Sequence, residues 1–254
     1  MQLHSNIIGS GSPFIILHGF LGMGDNWKTL GKKFSEEGYE VHLVDQRNHG
    51  RSPHAEEFDY EVLTEDLKAY ITSHELSEVV LLGHSMGGKT AMMFASKYPE
   101  LVSKLIVADI SPRFYPVHHD TILEGLSQLD FSEISNRGEA DEALARYLTD
   151  FGIRQFLLKN LYWKEKGQLA LRLNLQALKA NVGEVGEALS VHAKFEKDTL
   201  FLRGDRSEYI SLQDEALIRT HFPKAQIETV SNAGHWLHAE NPKEFFEDVI
   251  KFLA

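Results

Sequence analysis

Cysteine is absent from the 254 residues, which excludes disulfides, a thiol nucleophile and any thiolate metal site. Positive charge is scarce: 26 Lys and Arg face 37 Asp and Glu, for a formal net charge of −11. Nucleic-acid binding rests on basic contacts to phosphate, so nucleic acid is excluded as a partner. The same charge repels anionic substrates unless a local basic pocket overrides it. No apolar run is long enough to span a membrane. The opening stretch, MQLHSNIIGSGSPF, lacks both the basic and the apolar region of a secretory signal, and a cytoplasmic protein is expected. Internal repeats and low-complexity tracts are missing too.

What is present is an alternation. Short apolar runs at 14–17, 40–44, 79–82, 104–108, 199–202 and 226–230 read as buried strands, and residues 2–8 add a candidate edge strand. Helical patterns such as 26–37 and 60–74 lie between them. The alternation predicts a mostly parallel central sheet with helices on both faces. It breaks between 112 and 193. Ala140, Ala143, Leu144, Tyr147, Leu148 and Phe151 recur at helical spacing, as do Ile122, Leu123, Leu126 and Leu129, while LYWKEKGQLALRL alternates around a Lys-Gly turn and predicts a hairpin. The expected organisation is a core of residues 1–111 and 194–254 with an inserted, mainly helical cap at 112–193.

The stretch VVLLGHSMGGKTAM carries the chemistry. A strand that turns at once into a helix leaves no room at the corner, and Gly83 and Gly87 flank Ser85 where side chains would collide. G-x-S-x-G in this setting predicts a nucleophile elbow. The corner puts Ser85 at a helix N-terminus, whose unpaired N–H groups favour negative charge, so the Met86 N–H is a candidate oxyanion donor. The second candidate is the Phe20 N–H, in the loop HGFLG after the first parallel strand. His18 reads as an anchor of that loop.

A serine hydroxyl needs a base, and the base needs an orienting acid. His235, after the last strand in VSNAGHWLHAE, is the candidate base. For the acid, Asp109 in LIVADISP ends a buried strand, where a carboxylate requires a partner such as an imidazolium. Asp205 and Glu208, in GDRSEYI, are the alternatives, with Ser207 standing where an aspartate would be sought. Arg47, Asn48 and His49 read as a self-bonded loop, and Lys89 as a lysine snorkelling from the helix after the elbow. Neither a cofactor nor a metal is expected. GSGS at 9–12 lacks the third glycine of a dinucleotide loop and leads into a strand, and His118–His119–Asp120 lacks a second ligand pair.

Taken together, HGFLG, VDQRNHGRS, GHSMGG and GHW resemble the α/β-hydrolase superfamily over nearly the whole chain. Within it, RNHGRS, GHSMGGK, ADISP and GHWLHAE resemble the YbfF-type bacterial esterases. The resemblance implies an α/β-hydrolase fold with a helical cap, hydrolysis of acyl esters and of acyl thioesters such as acyl-CoA, and an acid at the position of Asp109. It also makes the departure at Ser207 a feature of that group. Dehalogenases and epoxide hydrolases of related fold carry aspartate at the elbow, which Ser85 argues against. The expected function is a serine hydrolase of short- to medium-chain acyl esters or thioesters. A same-fold lyase, a carbon–carbon bond hydrolase and a receptor-like binder with little turnover are the alternatives.

Overall fold

The apolar runs become one twisted sheet in the computed structural model, which describes residues 1–116 and 119–254. Its strands are β1 (Ser5–Ile8), β2 (Ser12–Leu17), β3 (Tyr39–Val44), β4 (Val79–His84), β5 (Val102–Ala108), β8 (Thr199–Gly204) and β9 (Ala225–Val230), while β6 (Leu161–Glu165) and β7 (Gln168–Leu171) pair apart from it as a hairpin. The order across the sheet is β1-β3-β2-β4-β5-β8-β9. Only β1 runs antiparallel, with Ser5 opposite Val44; the other pairs in the sheet are parallel. Gly9 and Gly11, at φ 80° and 127°, turn the chain from β1 into β2, so GSGS is a turn between strands.

Strand side chains alternate between two covered faces. Ile15, Leu81, Leu105 and Phe201 pack under α2 (Tyr60–Ser73), α3 (Met86–Lys97) and α8 (Asp214–His221). Phe14, Leu82, Ile106 and Leu202 pack under α1 (Lys28–Glu36) and α10 (Pro242–Leu253). The central strands are therefore apolar throughout, as a sheet buried on both faces requires. The short α9 (Leu237–Glu240) leads into α10.

Between β5 and β8 lies the helical cap, with α4 (Asp120–Ser127), α5 (Arg137–Ala145), α6 (Phe151–Leu158) and α7 (Leu175–Ala180). Its leucines join Phe20, Leu21 and Met86 in a third cluster, which seats the cap over the C-terminal ends of the strands. The single helix expected across 140–151 is in fact two. Asp150 accepts from the Ile153 N–H at 2.9 Å and caps a new helix, because a short polar side chain at that point satisfies an orphan donor better than continuation does.

Lys89 corrects a second expectation. It does not snorkel: it is 1% exposed, and its Nζ donates to the carbonyls of Arg113 (2.5 Å), Glu187 (2.6 Å) and Pro112 (3.4 Å). Those carbonyls belong to the two chain segments that enter and leave the cap. Burial, together with the nearby Arg113, pulls the amine down to about 7. Truncation strands three buried acceptors and opens a void, so Lys89→Ala is expected to lower the unfolding free energy by about 2–4 kcal/mol. Urea denaturation checks this; an unchanged midpoint contradicts it.

Candidate active site

The elbow is built by two close backbone approaches. A Cβ on Gly83 would lie 2.1 Å from the Gly87 carbonyl oxygen, and one on Gly87 would lie 2.5 Å from that of Leu17. Ser85 between them is held at φ 53° and ψ −119°, a conformation that L-residues rarely adopt and that local packing must enforce. It points the hydroxyl away from the sheet, at the start of α3.

His235 arrives on the turn after β9. Its Nε2 lies 3.0 Å from Ser85 Oγ and its Nδ1 2.8 Å from Asp109 Oδ2. Asp109 follows β5, is fully buried and also has a positive φ, 51°. Its backbone N–H donates to the Leu202 carbonyl at 2.8 Å, and its Oδ1 accepts from the Gly204 N–H at 3.2 Å. The Ser207 hydroxyl donates to the same Oδ2 that faces His235. The serine found where an aspartate would be sought thus supplies a donor to the carboxylate one strand away.

The structure brings Ser85, His235 and Asp109 together and leaves Asp205 and Glu208 out. Asp205 accepts from the Asn232 and Ala233 N–H groups, both at 2.9 Å, bonds that hold its carboxyl below the usual range and brace the turn that delivers His235. Glu208 is exposed, and its backbone carbonyl accepts from Arg113 at 3.4 Å.

Four buried histidines frame the site. His18 Nε2 accepts from the Gln46 N–H at 3.0 Å, while its Nδ1 donates to the Gly19 carbonyl at 2.9 Å. His49 Nε2 accepts from the Leu21 N–H at 3.2 Å, and its Nδ1 donates to the Arg47 carbonyl at 2.8 Å. Both therefore pin the loop that carries Phe20 in their neutral forms. Burial lowers His18 to about 4 and, with His18 as a neighbour, lowers His49 to about 3. His84 donates from Nε2 to the His235 carbonyl at 2.8 Å. Burial and the adjacent His238 push it well below the ordinary imidazole value. His238 stacks on Trp27 with centroids 4.1 Å apart, and burial lowers it to about 3. Among the described residues, neither the Phe20 nor the Met86 N–H has a protein acceptor.

A cavity of about 210 Å³ opens onto Ser85 and His235, walled by Phe20, Trp27, Ile122, Ile153, Phe156 and Leu157. The Tyr209 ring stacks on His235 with centroids 3.8 Å apart at 18°. Among the described residues no group of His, Asp and Glu has the arrangement of a metal site; His118 lies outside them. Ser207, Tyr209 and His84 escaped the sequence reading as contributors, since their contacts join segments far apart in the chain. Only Ser207 left a trace, as a serine in an unexpected place.

Fold and site together define a hydrolase built around an elbow serine. The alpha/beta hydrolase fold family matches over residues 12–242, and the chain belongs to it. It is an esterase/lipase-type hydrolase of that family. A solved marine microorganism esterase is 41% identical, covers 99% of both chains and superposes with a TM-score of 0.95. The mouse (Mus musculus) sn-1-specific diacylglycerol lipase ABHD11 is 38% identical over 247 residues, 94% of this chain and 80% of its own. Esterase YbfF of Escherichia coli strain K12 is 29% identical over 243 residues, 95% of this chain and 93% of its own.

The neutral histidines predict acid sensitivity. Each has a folded pKa below its unfolded value of about 6.5, so below pH 6.5 the unfolded chain binds protons that the folded chain refuses. Stability is then lost as pH falls, by about 1.4 kcal/mol per pH unit for each such group, until its folded pKa is reached. The unfolding free energy is expected to drop steadily from pH 6.5 to 4.5, with a shallower slope in His49→Gln. A flat profile in the parent protein contradicts the neutral assignment.

Proposed function

We propose that this protein is a serine esterase that cleaves carboxylic esters of short to medium acyl chains through an acyl-enzyme. The observation that carries the reading is the single imidazole bridging Ser85 and Asp109 beneath a mainly apolar cavity. Asp109 accepts a hydrogen bond from Nδ1–H, which fixes the tautomer and leaves Nε2 free to take the Ser85 proton. Ser85 Oγ attacks the carbonyl carbon, and the oxygen that gains the charge is held by the Phe20 and Met86 N–H groups. Donors of this kind contribute about 2.7–4 kcal/mol each to the transition state. When the intermediate collapses, His235 gives its proton to the departing alkoxide. A water, deprotonated by the same Nε2, then attacks the acyl-enzyme and frees the acid and the serine.

In this reading residues 1–111 and 194–254 are the hydrolase core, and 112–193 form the cap that walls the acyl cavity. A thioester fits the same steps, with a thiolate as leaving group. An acyl-CoA, however, must approach a chain of net charge −11, and that repulsion favours neutral esters. A relative that is an sn-1-specific diacylglycerol lipase adds diacylglycerol to the substrates worth testing.

The test is turnover of p-nitrophenyl esters from acetate to laurate, with diacylglycerol and an acyl-CoA alongside. Turnover is expected to peak at a short or medium chain and to fall by up to ~10⁶ in Ser85→Ala. Asp109→Asn is expected to lose roughly 10⁴ in kcat, and Asp205→Asn far less. Collapse in Asp205→Asn with near-normal Asp109→Asn would reverse the acid assignment. Fluorophosphonate labelling of Ser85 with no turnover of any ester would replace the esterase with a binder or a different lytic reaction.

A further inference from the structure

A second, much smaller cavity also meets Ser85, beside the 210 Å³ chamber. It has about 20 Å³ of free volume and is lined by Met86, Ile110, Tyr115, Val185 and Gly186 among others. That is room for about one small group. Tyr115 and Gly186 sit on the two segments that enter and leave the cap, and these segments are laced to each other. The Tyr115 N–H donates to the Gly186 carbonyl and the Leu189 N–H to the Pro112 carbonyl, both at 2.8 Å. They touch backbone to backbone: a Cβ on Gly186 would lie 2.0 Å from the Tyr115 carbonyl oxygen.

The Lys89 ammonium stands where these segments converge. It draws in carbonyls from both of them, Arg113 on one side and Glu187 on the other. Without a donor between them, such aligned carbonyl dipoles repel. Lys89 also lies one turn after the nucleophile on α3, its N–H bonded to the Ser85 carbonyl at 3.0 Å. The span from Ser85 to the far wall of the small cavity is therefore set through one helix turn and one lysine side chain.

We propose that Lys89 determines how large a group is accepted in the small cavity beside Ser85, by clamping the two segments that wall it. Lys89 lines neither cavity, so it is a positioning residue that sets specificity through Tyr115 and Gly186. The proposal rests on the esterase reading and adds a division of the substrate to it. One ester arm is long and lies in the large chamber; the other is short and its bulk is limited by the clamp.

The experiment compares kcat/KM for two ester series in the full-length protein and in Lys89→Met, which keeps apolar bulk but cannot hold carbonyls. One series is ethyl, isopropyl and tert-butyl hexanoate; the other is hexyl acetate, isobutyrate and pivalate. The parent protein is expected to discriminate steeply against branching in one series. Lys89→Met is expected to relax that discrimination by roughly tenfold, the lower range that one methylene commands in a close-fitting pocket. Preference for the long arm stays as it was. Lost rate without changed selectivity, in a variant folded by circular dichroism, would mean a purely structural lysine and overturn the proposal. Should Lys89→Met not fold, Gly186→Ala serves instead. It keeps the lysine, drives a methyl against the Tyr115 carbonyl and must alter the same arm's selectivity; parental selectivity there also overturns the clamp. Failure of the esterase reading looks different, since the parent protein would then turn over neither series.

Discussion

Everything at this site depends on a corner where two backbones pass too closely for a methyl group. Gly87 sits against the carbonyls of Leu17 and His18, and Gly83 against Gly87. Any Cβ at either glycine would force strand and helix apart and let Ser85 relax out of its left-handed conformation. The hydroxyl would then lose its distance to His235. The corner is held from outside: β4 is paired on both sides, by β2 and β5, and α3 is pressed on the sheet by Phe94 and Ala95. Local strain at one residue is sustained by the packing of the most deeply buried part of the molecule.

Around that corner the protein keeps its imidazoles electrically silent. His18, His49, His84 and His238 are buried, and burial keeps them uncharged; His18 and His49 use both ring nitrogens as fixed donors and acceptors. Of the described histidines around Ser85, His235 is the one with a carboxylate at Nδ1 and the serine hydroxyl at Nε2. In the proposed mechanism, a positive charge formed during turnover therefore resides on His235, opposite Asp109. In the same mechanism, the rigid neutral imidazoles that pin the loop carrying Phe20 need not reorganise as charge develops, the condition under which prepositioned dipoles are most effective.

Much of this was legible in the sequence because it depends on local rules. Apolar runs flanked by turn residues gave strands, and the glycines about Ser85 announced the elbow. Asp109 was readable because an acid ending a buried strand demands a partner. What stayed hidden depends on contacts between distant segments. Nothing in the one-dimensional pattern says that the Ser207 hydroxyl reaches Asp109, or that Tyr209 lies flat on His235. Lys89 was misread for a related reason. Its neighbours in sequence describe a helix, whereas its environment is set by carbonyls 23 to 98 residues away. The division of 140–151 into two helices turned on Asp150, where a capping side chain outweighed a continuous apolar stripe.

The cap is also joined to the body at a place far from its entry and exit segments. His49 bridges to Leu173, the Asn174 N–H donates to the Asn48 carbonyl at 3.0 Å, and Asn160 Nδ2 reaches the Leu21 carbonyl at 2.8 Å. Pinned at these further points, this covering rests as a vault on several piers, and swinging it like a hinged flap would break these bonds. Ile122, Ile153, Phe156 and Trp236 line the chamber beside the serine, so rotations of these side chains are the small motions available to widen it. In the proposed reaction, exchange of substrate for product can then proceed by side-chain motion beneath a cap that stays in place.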